Sequence, residues 1–434
     1  MFADDRMMRS HESHKTRTLW LTGMLHGFTH VYNVALIPLY LLIQRDFKFD
    51  SVSKATSFVT VLMLAYFLPS YPMGVLADRL NRKKLLGWGL AINGIGFVAL
   101  AFAPNYPCAI AAVLVAGFGG SFYHPAATAM IARLFPKTTG RALGLAGIGS
   151  SAGFFLGPIY TGWRAQMLEP ISGAAAWRRP VFELGVLGIL AAGMFALLAD
   201  DEKPAPIHER KFIPSTKLFP TPALWFFFIA CSLAFSLRDF AGGGFGSLAS
   251  LFLQKAHGYD ESLTGLAVGG IFLASAVGNP LFGRLSDGGR IRWTLPVLLV
   301  ASALIAVFPH VRSGWTIPTL VAYGFFLLPS YPIVEAALME SVPDAVRGRV
   351  YGFFITVSGV VGNLSHWFVG ARVKHMGDAA YSAGGYFAIY GAFALLIVLS
   401  LAGLPCLYAI RKREHLEAPS DPAKSPFIHP QSAL

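Results

Sequence analysis

The stretch GVLADRLNRKK, Gly74 to Lys84, closes a run of mostly apolar residues with an Asp-Arg pair and a block of cations. An apolar run of about 20 residues crosses the ~30 Å hydrocarbon core as a helix. Lys and Arg gather on the cytoplasmic flank of such helices, so the stretch reads as the inner end of a membrane span. It also has a copy. GRLSDGGR, Gly283 to Arg290, repeats its Gly and Asp 209 positions on. A second pair, PKTTGRALG at Pro136–Gly144 and PDAVRGRVYG at Pro343–Gly352, follows an offset of 207 to 208. One register shared by two separate motifs implies an internal duplication. Duplicated helical bundles are a transporter architecture, with the substrate site at the interface of the halves near mid-membrane.

Outward from this stretch the chain keeps the same rhythm. Only 13% of its 434 residues are charged and 54% are hydrophobic, where a soluble domain carries about 25% charge. Apolar runs between charged or Pro/Gly-rich breaks give six spans in the first half: Leu19–Ile43, Ala55–Ala77, Leu85–Ala103, Cys108–Phe135, Ala142–Gly162 and Val181–Ala199. Six more follow: Ala223–Leu253, Leu263–Leu285, Thr294–Phe308, Thr316–Met339, Val350–Val373 and Tyr386–Ile410. The expected fold is an all-α membrane protein of twelve transmembrane helices in two pseudo-symmetric six-helix bundles. These occupy residues 19–199 and 221–410, flanked by a cytoplasmic segment 1–18 and a tail 411–434. Between them the polar, proline-rich stretch 200–220 reads as a cytoplasmic linker.

The net charge of +12 does not point to nucleic acid, because the cations cluster at alternate helix ends. With both termini and the linker inside, 24 Lys and Arg lie on the cytoplasmic side, 10 lie outside and Arg238 falls within a span. The first 18 residues lack the apolar core and cleavage site of a signal peptide. Cys108, Cys231 and Cys406 form no CxxC pattern, so neither a redox nor a metal motif is expected from them. No nucleophile–base pattern stands out, which argues against an enzyme.

Charges inside spans are costly and mark function. In span one His26, His30 and Asn33 stand at i, i+4 and i+7, on one face of a helix. In span four His124 shares a face with Gly117, Ser121 and Thr128. These histidines are candidates for proton exchange or substrate contact. His26 and His30 have metal-compatible spacing, but no Cys or carboxylate stands beside them in sequence, so no metal or cofactor is expected. In span seven Arg238 and Asp239 precede Gly242, Gly243, Gly244 and Gly246, a run poor in helix propensity that reads as a hinge. Adjacent helical residues point about 100° apart, so the two charges need not pair. Arg238 is the candidate anion-binding or charge-balancing group, and a cationic cavity around it would favour an anionic or zwitterionic solute. Asp239, Glu335 in span ten and His366 beside Asn363 in span eleven complete the candidate substrate and proton site. At the inner end, Asp78 can pair with a neighbouring Arg or a helix N-terminus. Gly74, Asp78, Arg79, Arg82, Asp287 and Glu340 form the candidate cytoplasmic gate.

GVLADRLNRKK, with its copy and the twelve-span plan, resembles the signature of the major facilitator superfamily over nearly the whole chain. That resemblance implies alternating access by two rocking halves. GFGGSFYHPAATAM in span four and HGFTHVYNVALIPLYLLIQRDF in span one are similar to the fosmidomycin-resistance type of facilitator, a group associated with proton-driven drug export. This chain has His30 and Ala126 where that group tends to carry acidic residues, which removes two candidate proton carriers. GFFLGPIYTG, Gly153 to Gly162, approximates a pattern of antiporters in the superfamily, although small-residue packing alone explains it. The implied function is a secondary transporter of a small organic solute in a bacterial inner membrane, proton-coupled, monomeric and embedded in lipid, with drug or metabolite efflux as its implied role. Import of an organic anion or metal chelate, and a transporter-like sensor without flux, are the alternatives.

Overall fold

A computed structural model describes residues 2–135, 138–200 and 218–417. Within these, the side chains of residues 2–13, 78, 79, 140, 313, 344, 345, 348 and 414–417 lie outside the described set. The regular secondary structure among the described residues is helical. Eleven helical stretches are long and apolar enough to cross a membrane. The first four are α1 (His14–Asp46), α2 (Val52–Ala77), α3 (Arg82–Ala101) and α4 (Tyr106–Leu134). The fifth, Arg141–Leu198, has 58 residues, about 87 Å if straight, far more than one bilayer. It turns back at Gly173, whose φ of +55° suits glycine, and so divides into α5 (Thr139–Ser172) and α6 (Arg178–Leu198). The rest are α7 (Pro222–His257), α8 (Glu261–Ser286), α9 (Arg290–His310), α10 (Thr316–Glu340), α11 (Asp344–Met376) and α12 (Ala383–Arg413).

Four prolines mark bends in these helices. A proline ring clashes with the carbonyl four residues back and its nitrogen donates no hydrogen bond. In α1 the α-helix stops at Val34, four before Pro38. In α2 it breaks at Leu68 and in α10 at Leu328, four before Pro72 and Pro332, each of which ends a Pro-Ser-Tyr-Pro stretch, at 69–72 and 329–332. In α4 it breaks at Ser121, four before Pro125. The glycine run of α7 behaves otherwise: the helix is continuous from Pro222 to His257, which corrects the expected hinge. Those glycines admit neighbours instead. A Cβ on Gly244 would stand 2.8 Å from the Ser365 side chain and 3.0 Å from the Phe393 ring.

The duplication seen in the sequence returns in the packing. Helix α1 packs on α5 and α3 on α6, while α7 packs on α11 and α9 on α12. Between the halves α5 meets α8 and α2 meets α11, again equivalent positions. The small residues of Gly153–Gly162 serve these contacts. A Cβ on Gly153 would lie 2.1 Å from the Gly27 carbonyl oxygen of α1, and one on Gly162 equally close to that of Glu261 in α8. Backbone-to-backbone approach this tight admits only glycine.

The start of α1 is fastened to the end of α6. Asp200 accepts from Thr18 Oγ1 at 3.1 Å and from Arg17 at 3.1 Å, with His14 Nδ1 at 3.2 Å. Partial burial opposes ionisation of Asp200, but His14, Thr18 and Arg17 together hold its carboxyl below the usual carboxylate range. A depressed folded-state pKa stabilises the fold above the unfolded value and the gain is lost as pH falls through the folded one. Asp200→Asn should therefore destabilise the fold near neutral pH by less than about 1 kcal/mol, because the site is partly exposed, and lower the melting temperature slightly. The difference from wild type should close as the pH falls below the carboxylate range, which a melting series against pH reads directly.

Candidate functional site

A cavity of about 390 Å³ lies between the halves, walled by α1, α2, α5, α7, α8, α10 and α11. Its charged wall is built by α7, α10 and α11. Arg238 is buried to 1% exposure and Asp239 to 9%. They pair with each other: Arg238 Nε donates to Asp239 Oδ1 at 2.8 Å and Nη2 reaches the same oxygen at 2.7 Å. Arg238 Nη1 also donates to the Ser330 carbonyl oxygen at 3.0 Å, and the guanidinium stacks 4.1 Å from the centre of the Tyr331 ring. Ser330 opens the second segment of α10, just after the break at Leu328. With Arg238 neutralised in this way, the cavity is not the cationic chamber expected from the sequence.

Glu335 lies one helical turn beyond Tyr331 and also faces the cavity. Tyr351 of α11 donates to its Oε2 at 3.0 Å. Counting Arg238 and Asp239 as a neutral pair, Glu335 and His366 are the ionisable side chains of this wall whose protonation changes the charge of the chamber. The rest of the lining is mainly Ile, Leu, Phe and Gly with a few amides and hydroxyls, among them Asn33, Asn279 and Asn363. Such a mixture suits an amphipathic guest.

At the end away from the termini the halves are joined by hydrogen bonds. The break before Pro38 leaves carbonyls of α1 unused. Ser250 Oγ takes that of Ile37 at 2.7 Å, and Gln254 Nε2 takes that of Pro38 at 3.2 Å. Beside them Tyr40 bonds Ser247 Oγ at 2.8 Å, Ser247 bonds His366 Nδ1 at 2.7 Å, and His366 Nε2 meets Asn363 Oδ1 at 3.2 Å. His366 is therefore buried in a chain linking α1 to α11 through α7. On the same side Arg45 pairs with Glu169 at 2.8 Å and stands 3.7 Å from Glu261. Ser247→Ala removes the centre of the chain. It should increase labelling of a cysteine placed in the cavity by an impermeant thiol reagent added from this side, severalfold over the same cysteine in the parent.

The remaining histidines gather elsewhere. His26 and His30 of α1 meet His124 of α4, with ring centroids 4.8, 5.2 and 5.6 Å apart in the three pairs. The rings of the two helices touch directly. The chamber begins at Asn33, whose amide nitrogen is 3.3 Å from His30 Nδ1. Gly117 of the expected polar face packs against the Leu62 carbonyl of α2 instead, and Ser121 turns back to the Phe118 carbonyl.

Of the gate residues, the side chains of Asp78 and Arg79 lie outside the described residues. Arg82 Nε donates to the Ala77 carbonyl at 3.0 Å, closing the end of α2. Glu340 pairs with Arg290, which also holds Asp287 at 3.2 Å. Among the described residues the bond of Glu340 lies within the second half, to the start of α9. Sequence reasoning passed over Ser247, Ser330 and Tyr351, although Ser247, Ser250 and Gln254 already form an i, i+3, i+7 polar stripe.

With this geometry in place, the comparison with known proteins is direct. The Major Facilitator Superfamily profile matches residues 19–365, and the chain belongs to that family. It is 28% identical to the multi-drug resistance efflux pump PmrA of Streptococcus pneumoniae over 356 residues, 79% of this chain and 82% of that one. It is 24% identical to the multidrug resistance protein MdtG of Klebsiella pneumoniae, across 94% and 95% of the two chains. The fold is similar to the crystal structure of a bacterial homologue of the human lysosomal transporter Spinster in its inward-facing state. That likeness has a TM-score of 0.69 at 18% identity, over 93% of this chain and 96% of the other. The protein is thus a multi-pass membrane transporter of the facilitator type.

Proposed function

We propose that this chain is a twelve-helix secondary transporter that exports amphipathic, neutral or cationic organic solutes across a bacterial inner membrane in exchange for protons. The observation that carries the reading is Glu335, a carboxyl in the wall of a mainly apolar cavity, beside an Arg238–Asp239 pair that already satisfies itself. A proton on Glu335 and a cationic guest compete for the same charge balance, which is the elementary requirement of exchange. A carboxylate needs a partner in such a chamber, and a proton or the guest can supply it. The efflux relatives and the fosmidomycin-resistance-like stretch in α4 support the outward direction. The closed end beside Tyr40 and Ser247 would then be the outer gate, with both termini, the linker 200–220 and the tail in the cytoplasm and the two bundles rocking as a monomer.

The test is flux. In proteoliposomes that are acidic inside, the purified protein should accumulate ethidium, and the accumulation should collapse when nigericin dissipates the pH gradient. Ethidium that binds but is not moved by any gradient would point to a transporter-like sensor. Movement of an organic anion such as benzoate in its place would restore the importer alternative.

A further inference from the structure

We propose that His26, His30 and His124 form a binding site for a borderline divalent transition-metal ion of the Zn²⁺ class, set between the central cavity and the termini. Each residue offers one imidazole nitrogen, and the three nitrogens lie within 4.8 Å of one another. The sequence shows only a pair at i, i+4. The third ring arrives because the break of α4 at Ser121 turns the Tyr123–Leu134 segment toward α1.

The surroundings of His26 are those of a metal ligand. His26 Nδ1 is 3.1 Å from the Ala146 carbonyl oxygen, a bond it can make only as donor. That fixes the tautomer and leaves the Nε2 lone pair for the cluster, and Nε2 is buried with no hydrogen-bond partner. Metal-bound histidines characteristically donate their other ring nitrogen to a carbonyl, carboxylate or water. Asn33 Nδ2 lies 3.3 Å from His30 Nδ1 and holds the second ring in its orientation. Tyr123 stacks on His26 at 4.5 Å and Phe154 on His30 at 4.2 Å, so the rings are held in place by aromatic faces.

Three neutral imidazoles select among ions. They suit Zn²⁺, Ni²⁺ and Co²⁺ and do not suit Mg²⁺ or Ca²⁺, which require oxygen ligands. Zn–N bonds of 2.0–2.1 Å in a tetrahedral site place the nitrogens about 3.3–3.4 Å apart. Closing from the present spacing takes a shift of about 1 Å or less per ring, within reach of side-chain rotation. The fourth position stays open for water or a donor atom of a passing solute. Because α1 and α4 belong to one half, an ion here would staple the bend of α4 to α1. It would act on the access path one turn below Asn33, separately from the proton step assigned to Glu335.

The experiment uses the full-length protein, purified in detergent on an affinity tag free of histidine and stripped with a chelator. Titration with ZnCl₂ by calorimetry should show one site, and Zn²⁺ should raise the melting temperature where Mg²⁺ does not. Co²⁺ titration should give the visible absorption of a low-symmetry, nitrogen-ligated ion. His30→Gln and His124→Gln should each weaken Zn²⁺ binding at least tenfold, and the triple Gln variant should lose the Co²⁺ absorption. Melting of each variant without metal shows that it is folded. Failure of the wild type to bind Zn²⁺, or undiminished binding by the folded triple variant, overturns the assignment. Neither readout depends on flux, so the site can fail while the transport reading stands, and the reverse.

Discussion

Replacing Glu335 by Gln is expected to lower gradient-driven ethidium accumulation at least tenfold while leaving an equilibrium exchange of labelled for unlabelled ethidium. Gln has the same shape, and its amide oxygen can still accept from Tyr351, whose hydroxyl donates to Glu335 at 3.0 Å. What is lost is the ability to take up and release a proton. An exchanger deprived of its proton site can still carry solute both ways, but it can no longer tie that movement to a pH gradient. Both activities are measured in the same proteoliposomes, one with a pH jump and one without. Loss of both with intact binding would make Glu335 a substrate contact. Loss of neither would move coupling to another group, with Asp239 the next candidate on this wall.

The second large effect concerns the buried pair. Asp239→Asn leaves the Arg238 guanidinium, at 1% exposure, with the Ser330 carbonyl and the Tyr331 face but no counter-charge. Breaking one partner of a buried ion pair costs about 3–5 kcal/mol, one of the larger effects a single substitution produces. Arg238→Met with Asp239→Asn should recover most of that loss, since replacing both charges removes the desolvation problem along with the pair. Thermal melts of the two variants decide the matter. If the double variant is as unstable as the single one, Arg238 is holding α7 to α10 through its bond to Ser330 rather than balancing Asp239.

Much of this architecture was legible in the sequence, and the reasons are physical. Polar loop motifs such as Gly74–Lys84 and Gly283–Arg290 stand out against an apolar background, so the duplication could be read before any helix was packed. The breaks before Pro38, Pro72, Pro125 and Pro332 obey the local clash with the carbonyl four residues back, but α5 runs on through Pro158 and α9 through Pro296, so proline position alone does not separate bent from unbroken helices. Pairing was harder. The 100° between Arg238 and Asp239 describes Cβ directions, and a guanidinium on a long stem curls round to its neighbour when burial leaves no better partner. His124 joined His26 and His30 through a tertiary bend, with no trace in spacing along either helix. The glycines of α7 looked like a hinge by propensity, yet close packing on Ser365 and Phe393 keeps that segment helical. Glu340 found Arg290 at the start of the neighbouring α9, a contact set by how the second half packs.

The account stands on one claim above the others: that a pH gradient drives solute through the chamber of Arg238, Asp239 and Glu335. The most direct measurement is ethidium accumulation in acid-inside proteoliposomes carrying the wild-type protein, recorded before and after nigericin. The account predicts accumulation above the external concentration that disappears when the gradient collapses. Equilibration to equal concentrations, at the same rate with and without the gradient, would contradict it.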